Sequence, residues 1–355
     1  MSFLNKRYAN LKPYTPGEQI NDKKYIKLNT NESPYELSEK ATKYAKAEIA
    51  KTRLYPDPEH SALTVAIAAY YGLNQDQILV TNGSDEALYF IFAGFFTGGK
   101  TLLFPNITYG FYRVYADFCG VNYREIPLKA DFTIDVNDYS EGDANIIIAN
   151  PNAPTGIPLE LSAIEKMLNA DKNSLVVIDE AYVDFGGESS IKFVEKYDNL
   201  IVVQTCSKSR QLAGARVGFA VSKEKTIADL KKIKYSINPY NVSRVSAALA
   251  RGAIADQEYF EQTIRKIIET REFFTGFLRA NNFFVLDSAA NFVFARHEQI
   301  KGKALYALLK ERGFLVRHFD TELLTDFVRI TIGKREDMLL LAGEIKNILK
   351  EIDER

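Results

Sequence analysis

Five short apolar runs, each followed by a polar loop and a helical pattern, constrain the fold of this chain more than any other feature. The runs lie at 77–80, 101–104, 145–149, 174–178 and 200–203. Runs of this length that are bounded by turn residues are typical of strands buried on both faces. Their alternation with helices predicts an α/β fold with a mostly parallel sheet covered by helices. Such sheets bind their ligands at the carboxyl ends of the strands.

The sequence pattern changes after Pro239, which divides the chain. Residues 243–281 are predicted to form long helices, and the rest interleaves short strands with helices, as in a smaller α+β domain. We therefore expect an N-terminal arm at 1–27, a large α/β domain at 28–240 and a small C-terminal domain at 241–355. A length of 355 residues fits about two domains.

Composition excludes several classes of function. The formal net charge is −1, so no basic field attracts nucleic acid or an acidic membrane surface. No run approaches the ~18 apolar residues of a membrane span, and the first residues lack the apolar core of a secretory signal. Cys119 and Cys206 are not paired by spacing, which predicts a reducing cytoplasm. Because His60, His297 and His318 lack metal-ligand spacing, we expect no metal site.

One lysine lies where an apolar strand opens into a polar loop. Lys208 follows the run at 200–203, and Arg216 comes eight residues later in a glycine-containing segment. Partial dehydration at such a place disfavours the ammonium and lowers its pKa, which leaves a neutral amine that attacks carbonyls. Taken alone, Lys208 is better explained as a surface-loop residue among 45 lysines and arginines, so only its neighbours can favour the reactive amine.

Other polar clusters follow the ends of neighbouring strands. Asp179 comes directly after a buried run, with Tyr182 three residues later, and by itself this carboxylate fits a helix cap or a metal ligand. The segment 81–86 opens a helix with small residues and free backbone N–H groups, which is an anion site or simple capping chemistry. The turn at 150–156 requires no function. Because all of these lie at strand ends, we expect them at one sheet edge together with Lys208.

This combination of a lysine, a carboxylate, a phenol, an anion site and an arginine resembles the fold-type I enzymes that use pyridoxal 5′-phosphate (PLP), specifically the class-II aminotransferases. The resemblance extends over essentially the whole chain. Its motifs, in order, are LNTNESPY, RLYPDP, TNGSDE, NPNAPTG, DEAYVDF, SKSRQLAGARVGF, ANFVF and VRITIG. It implies PLP as the cofactor and a homodimer with active sites at the subunit interface.

The resemblance also assigns roles at the predicted sheet edge. Lys208 would bond to the cofactor aldehyde and move the proton at the substrate Cα, Asp179 would pair with the pyridine nitrogen, and Tyr182 would hydrogen-bond the 3′-oxygen. The family has an Asn directly before Pro-Thr-Gly for that same oxygen. Here this position is Ala153, so either Asn152 makes the contact or the contact is lost.

The remaining positions implied by the resemblance bind the cofactor or the substrate. Those for the cofactor phosphate are Ser84, Asp85, Ser207 and Arg216, with Tyr109 stacking on the ring and Tyr55 crossing to the phosphate of the partner subunit. Those for the substrate are Tyr14, Asn31, Arg317 and Arg329. Two guanidiniums fit a phosphate dianion better than a single carboxylate. From the residues alone, plain packing for Tyr109 and a solvated strand-edge charge for Arg317 stay open.

The reaction implied is a ping-pong transamination of a small phosphorylated substrate. An amino group would pass from glutamate to imidazole-acetol phosphate, giving L-histidinol phosphate and 2-oxoglutarate in histidine biosynthesis. No residue identifies an imidazole, so an aminotransferase for another phosphorylated ketone such as dihydroxyacetone phosphate stays open. So does a phospho-amino-acid decarboxylase of the threonine-phosphate type. A non-catalytic binding module of the same fold is disfavoured, because it would need a DNA-binding helical domain and a basic surface.

Overall fold

The computed structural model describes residues 3–19, 25–140 and 142–354, so residues 1–2 and 20–24 of the predicted N-terminal arm lie outside it. The helices are α1 (Glu39–Ile49), α2 (Ser61–Tyr71), α3 (Gly83–Gly94), α4 (Phe111–Cys119), α5 (Leu161–Ala170), α6 (Glu224–Ile237), α7 (Arg244–Ala255), α8 (Gln257–Ala280), α9 (Gly302–Glu311) and α10 (Arg335–Asp353). None of these described helices combines the length and the apolar character that crossing a membrane requires.

The strands form one large sheet and two smaller ones. They are β1 (Ile26–Lys27), β2 (Ile78–Thr81), β3 (Thr101–Pro105), β4 (Tyr123–Ile126), β5 (Ala144–Ala149), β6 (Val176–Asp179), β7 (Leu200–Thr205), β8 (Gly218–Val221), β9 (Phe283–Val285), β10 (Phe292–His297), β11 (Phe314–Leu315), β12 (Arg317–His318) and β13 (Val328–Thr331). The large sheet has the order β2-β8-β7-β6-β5-β3-β4.

The large sheet is mostly parallel, as the sequence predicts. Strands β4, β3, β5, β6 and β7 pair in parallel, and β8 runs antiparallel to both β7 and β2. Helices α2, α5 and α7 pack on one face, and α3, α4 and α6 on the other. Because both faces are covered, every residue of β2, β6, β7 and β8 is buried. The predicted α/β fold class is therefore confirmed.

The small sheet is antiparallel, with the order β12-β13-β10-β9. Helices α8, α9 and α10 supply its core, and β1 pairs in parallel with β11, which ties the N-terminal segment to this part of the chain. The domain boundary near residue 240 stays a prediction. Helix α7 follows that boundary, yet Ala250 and Ala253 pack into the core on the large-sheet side.

A close approach between β8 and α3 positions the start of that helix. A Cβ added to Gly218 would lie 2.5 Å from both the carbonyl carbon of Gly83 and the backbone nitrogen of Ser84. Gly83 itself has φ +73°, a left-handed conformation that glycine adopts without steric cost. Two glycines therefore let the first turn of α3 sit directly against the end of the sheet.

Candidate active site

A cavity of about 1100 Å³ lies at the carboxyl ends of β6 and β7. The large sheet forms one wall, the small sheet forms another, and segments 11–19 and 29–31 contribute to a third. All of the residues predicted for the site except Asn152 and Tyr55 line this cavity. These lining residues are Tyr14, Asn31, Ser84, Asp85, Tyr109, Asp179, Tyr182, Ser207, Lys208, Arg216, Arg317 and Arg329.

Lys208 is presented by the loop that follows β7. Its Nζ donates a 3.2 Å hydrogen bond to the carbonyl oxygen of Thr30 and lies 5.9 Å from the ring centroid of Tyr182. Burial, helped by the positive charge of Arg329, lowers the pKa of Lys208 from 10.5 to about 8. The structure thus places in the cavity an amine that is partly neutral near physiological pH, as a nucleophilic lysine requires.

Asp179 is the last residue of β6, and its side chain is only 4% exposed. Its Oδ2 accepts a 2.8 Å hydrogen bond from the hydroxyl of Tyr112, whereas its buried Oδ1 has no partner among the described residues. Burial raises the pKa of Asp179 to about 7, and the nearby charge of Asp85 adds to that rise. A buried polar atom without a partner is rare in proteins, so Oδ1 indicates a place for a donor from a ligand.

Tyr112 is a residue that the sequence analysis missed. It lies three residues after Tyr109, in a chain that contains 20 tyrosines. A buried tyrosine on the apolar face of an amphipathic helix gives no local signal that its hydroxyl contacts a carboxylate 67 positions further along the chain. Only the fold brings the two side chains together.

The start of α3 forms an anion site together with Arg216. Nη2 of Arg216 lies 2.9 Å from Oδ2 of Asp85, and Nη1 lies 3.5 Å from Oγ of Ser207. The hydroxyl of Tyr109 donates to the other carboxylate oxygen of Asp85 at 2.9 Å. A Cβ on Gly83 would lie 2.5 Å from Nη2 of Arg216, so the guanidinium lies directly against the helix start. Backbone N–H groups, a hydroxyl and a guanidinium together match the needs of a phosphate.

Tyr182 and Asn31 form a second polar contact in the cavity. Nδ2 of Asn31 donates a 2.9 Å hydrogen bond to the hydroxyl of Tyr182. The backbone N–H of Asn31 donates to Oγ1 of Thr331, and Nδ2 of Asn291 donates to the carbonyl oxygen of Asn31, both at 3.0 Å. Asn31 is therefore locked between Tyr182 and the small sheet, with its backbone at φ +56°.

Arg317 and Arg329 lie at the small-sheet end of the cavity. Nη2 of Arg329 donates to the carbonyl oxygen of Asn29 at 3.0 Å, and its buried Nε has no partner among the described residues. Nη2 of Arg317 donates to the carbonyl oxygen of Thr15 at 3.2 Å. Burial lowers the pKa of Arg329. Nearby, Tyr14 stacks on the ring of Phe111 with centroids 4.4 Å apart, so the N-terminal segment covers this end.

Asn152 and Tyr55 are the two predicted site residues that do not line the cavity. Oδ1 of Asn152 accepts from Oγ1 of Thr108 at 2.8 Å, its Nδ2 is also bonded within the turn, and Ala153 faces the cavity instead. Tyr55 is 75% exposed and stacks on Tyr240 with centroids 4.6 Å apart. Their assignments to the cofactor stay predictions.

Comparison with known proteins shows the family. A family model described as aminotransferase class I and II matches residues 23–345, and the chain belongs to this family. The histidinol-phosphate aminotransferase of Brachyspira hyodysenteriae is 49% identical over 351 residues, which cover 98% of this chain and 99% of that protein. That of Clostridium beijerinckii is 46% identical over 348 residues, covering 98% and 97%.

A solved structure supports the same fold. The histidinol-phosphate aminotransferase of Sinorhizobium meliloti, determined in complex with pyridoxal-5′-phosphate, superposes with a TM-score of 0.84 at 24% identity. The superposition covers 92% of this chain and 91% of that one. The predicted resemblance to the aminotransferases is confirmed by the family match, and the predicted fold class by the superposition.

Proposed function

We propose that this aminotransferase uses PLP to exchange an amino group between L-histidinol phosphate and 2-oxoglutarate. One observation supports the cofactor above all: a single cavity joins the buried amine of Lys208, the unpartnered Oδ1 of Asp179 and the anion site at Arg216. The support for the substrate is the near full-length similarity to proteins named histidinol-phosphate aminotransferase, at 46–49% identity.

The side chains present fit the functional groups of PLP. Lys208 offers the amine for its aldehyde, Asp179 an acceptor for its ring nitrogen, and Tyr182 a hydroxyl for its 3′-oxygen. The start of α3, with Arg216, offers donors for its phosphate. Asn152 would reach the ring only if its side chain lost the hydrogen bond that it donates to Thr155 within the turn.

When bound, PLP supplies an electron sink for the electron pair left on the substrate Cα after deprotonation. Lys208 Nζ takes the proton from Cα, and its pKa of about 8 fits that task because a general base works best near the ambient pH. The carboxylate of Asp179 stabilises a protonated ring nitrogen by charge. Asn31 holds the hydroxyl of Tyr182 in place by donating to it.

The substrate phosphate binds between Arg317 and Arg329. Both guanidiniums line the cavity. The buried Nε of Arg329 has no partner among the described residues, so it can donate a hydrogen bond to a ligand. Charge-assisted bonds of this kind are about twice as strong as neutral ones. Tyr14 closes over the bound substrate, and glutamate and 2-oxoglutarate occupy the same place in the other half-reaction.

The protein also acts as a homodimer in the cytoplasm, with Tyr55 reaching the cofactor phosphate of the partner subunit. The exposed, stacked rings of Tyr55 and Tyr240 support this part of the proposal, because aromatic side chains are enriched at protein interfaces. A reducing compartment agrees with the two free cysteines.

A panel of substrates tests this function. The PLP-loaded chain is mixed with 2-oxoglutarate and with histidinol phosphate, threonine phosphate or amino-propanediol phosphate, and glutamate and carbon dioxide are measured. Histidinol phosphate should give the largest kcat/KM, with no carbon dioxide. Carbon dioxide from threonine phosphate would identify a decarboxylase instead, and fastest turnover of amino-propanediol phosphate would identify the other ketone substrate.

A further inference from the structure

We propose that Tyr112 is a positioning residue for the reaction. It fixes the Asp179 carboxylate so that Oδ1 alone is presented to the ring nitrogen of PLP, and it helps to keep that carboxylate ionised. The basis is the 2.8 Å hydrogen bond from the Tyr112 hydroxyl to Oδ2 of Asp179, beside an Oδ1 without a described partner. This inference rests on the proposed function, because it assumes that PLP occupies the cavity.

The position of the Tyr112 hydroxyl is set by packing. Tyr112 lies in the first turn of α4 and is completely buried. Its ring contacts Phe104 and Tyr109 edge-on, with centroids 6.0 and 5.7 Å away, and it lies beside Phe92 at 6.5 Å. Since a close-packed ring has no alternative rotamer, the donor stands at a fixed point before any ligand arrives.

This fixed donor makes the two oxygens of Asp179 unequal. The final torsion of an aspartate side chain is broad and roughly two-fold, so an isolated carboxylate exchanges its oxygens freely. A charge-assisted hydrogen bond to Oδ2 holds one orientation, and Oδ1 is left for the ligand. The carboxylate is therefore oriented in advance, which avoids paying for that order during the reaction.

The hydrogen bond from Tyr112 also affects the protonation of Asp179. Burial raises its pKa to about 7 and the charges of Asp85 and Glu180 add to the rise, while the Tyr112 hydroxyl and the backbone N–H of Ala181 lower it. Without the hydroxyl, more of the carboxyl is protonated at pH 7 and no longer balances a positive ring nitrogen. The titratable side chains that interact electrostatically with Asp179 include Asp85, Glu180, Tyr109, Tyr112, Tyr115 and Tyr182, and the charged Lys208 and Arg216 line the same cavity.

Tyr112→Phe tests the proposal because it removes one oxygen and keeps the ring. The matched control is Tyr139→Phe, since Tyr139 is 2% exposed and its buried hydroxyl has no partner in the described structure. In the PLP-loaded chain, the pH midpoint of the visible absorption band should rise by about one unit or more in Tyr112→Phe. The kcat should fall about tenfold or more with KM nearly unchanged, and Tyr139→Phe should match the wild type.

A double mutant shows whether the effect passes through Asp179. In an Asp179→Asn background, Tyr112→Phe should add less than about twofold to the loss of kcat, because its target is already neutral. Additive losses in kcat, or a wild-type midpoint in Tyr112→Phe, would overturn the positioning role.

Failure of the proposed function gives a different result. If the wild type binds no PLP, the cofactor-free chain still decides the role of Tyr112 by thermal unfolding at pH 6 and pH 9. The folded pKa of Asp179, about 7, lies above the ~3.9 of an unfolded chain, so ionisation costs stability as pH rises through that window. Without the Tyr112 hydroxyl the pKa of folded Asp179 is higher, so the loss of stability continues above pH 7. The Tm gap between Tyr112→Phe and Tyr139→Phe should therefore widen from pH 6 to pH 9, and a constant gap refutes the proposal.

Discussion

The arginines at the two ends of the cavity contact different kinds of group. At the large-sheet end, Arg216 is paired with the carboxylate of Asp85 at 2.9 Å. At the small-sheet end, Arg317 and Arg329 donate to backbone carbonyl oxygens, and no carboxylate of the described residues pairs with them. A carbonyl carries only a partial charge, so it competes weakly with an incoming anion. An incoming anion therefore competes with a full negative charge for Arg216, but only with carbonyl oxygens for Arg317 and Arg329.

The supports of the two ends differ as well. Asp179 ends a fully buried strand and Lys208 follows another within three residues, so the large-sheet groups rest on rigid backbone. The arginines of the small sheet contact the N-terminal segment through Thr15, Pro16 and Asn29. This difference agrees with the proposed roles, in which the large-sheet end holds the cofactor and the small-sheet end binds the substrate.

Replacement of Lys208 should have the largest effect at the large-sheet end. Lys208→Ala removes both the attachment point and the base, so activity should fall by about 10⁴-fold. Borohydride treatment of the PLP-loaded chain followed by mass spectrometry checks the attachment. Lys232→Ala is the control, because Lys232 is exposed and pairs with Asp229 three residues away. A PLP adduct that survives in Lys208→Ala would contradict the assignment.

The pH dependence of attachment should be the next effect in size at this end. With a pKa of about 8 for Lys208, the neutral amine grows from ~1% of molecules at pH 6 to ~50% at pH 8. The initial rate of PLP capture by the cofactor-free chain should rise by about fiftyfold over that range, after subtraction of the Lys208→Ala background. A midpoint at the ordinary lysine value of 10.5 would show that the amine is not dehydrated.

Matched substitutions of the two arginine sites test the comparison directly. Arg329→Gln should raise KM for histidinol phosphate by about 10–100-fold and change PLP affinity much less, because it removes charged hydrogen bonds proposed to the substrate and acts on the cofactor only through the pKa of Lys208. Arg216→Gln should weaken PLP affinity by a similar factor and leave KM for the substrate nearly constant. PLP titration and steady-state kinetics measure both quantities. If each variant changes both equally, the two ends do not act separately.

Tyr55→Phe should have the smallest effect. It would remove the single hydrogen bond proposed from this hydroxyl to the phosphate of the partner subunit, so PLP affinity should fall by about tenfold. Tyr240→Phe, in the stacked partner ring, keeps the packing and should leave PLP affinity unchanged. Equal losses in both variants would point to the packing of the pair rather than to a contact across subunits.

The sequence predicts the large-sheet end well because its residues adjoin strands. The run at 200–203 predicts a strand that extends as β7 over Leu200–Thr205, and Lys208 lies three residues past its end. Asp179 is likewise adjacent to the predicted run at 174–178 and ends β6. Where a functional group follows a strand closely, the apolar run that predicts the strand also predicts the position of the group.

Contacts between segments that are far apart in the chain have no comparable signal in the sequence. The bonds from Lys208 to Thr30 and from Arg329 to Asn29 join residues 178 and 300 positions apart. Strand β8 was also missed, because four residues that begin with a glycine read as part of a loop. Strands β1 and β11 have two residues each, too few for any periodicity. These features depend on tertiary packing, which overrides local preference.

The absence of a side chain at Gly218 limits which residues can replace it. Any larger residue there would press on the backbone of Gly83 and Ser84 in α3 and on the carbonyl oxygen of Gln204 in β7. A residue without any chemistry of its own therefore limits how the start of α3 can be placed against the sheet.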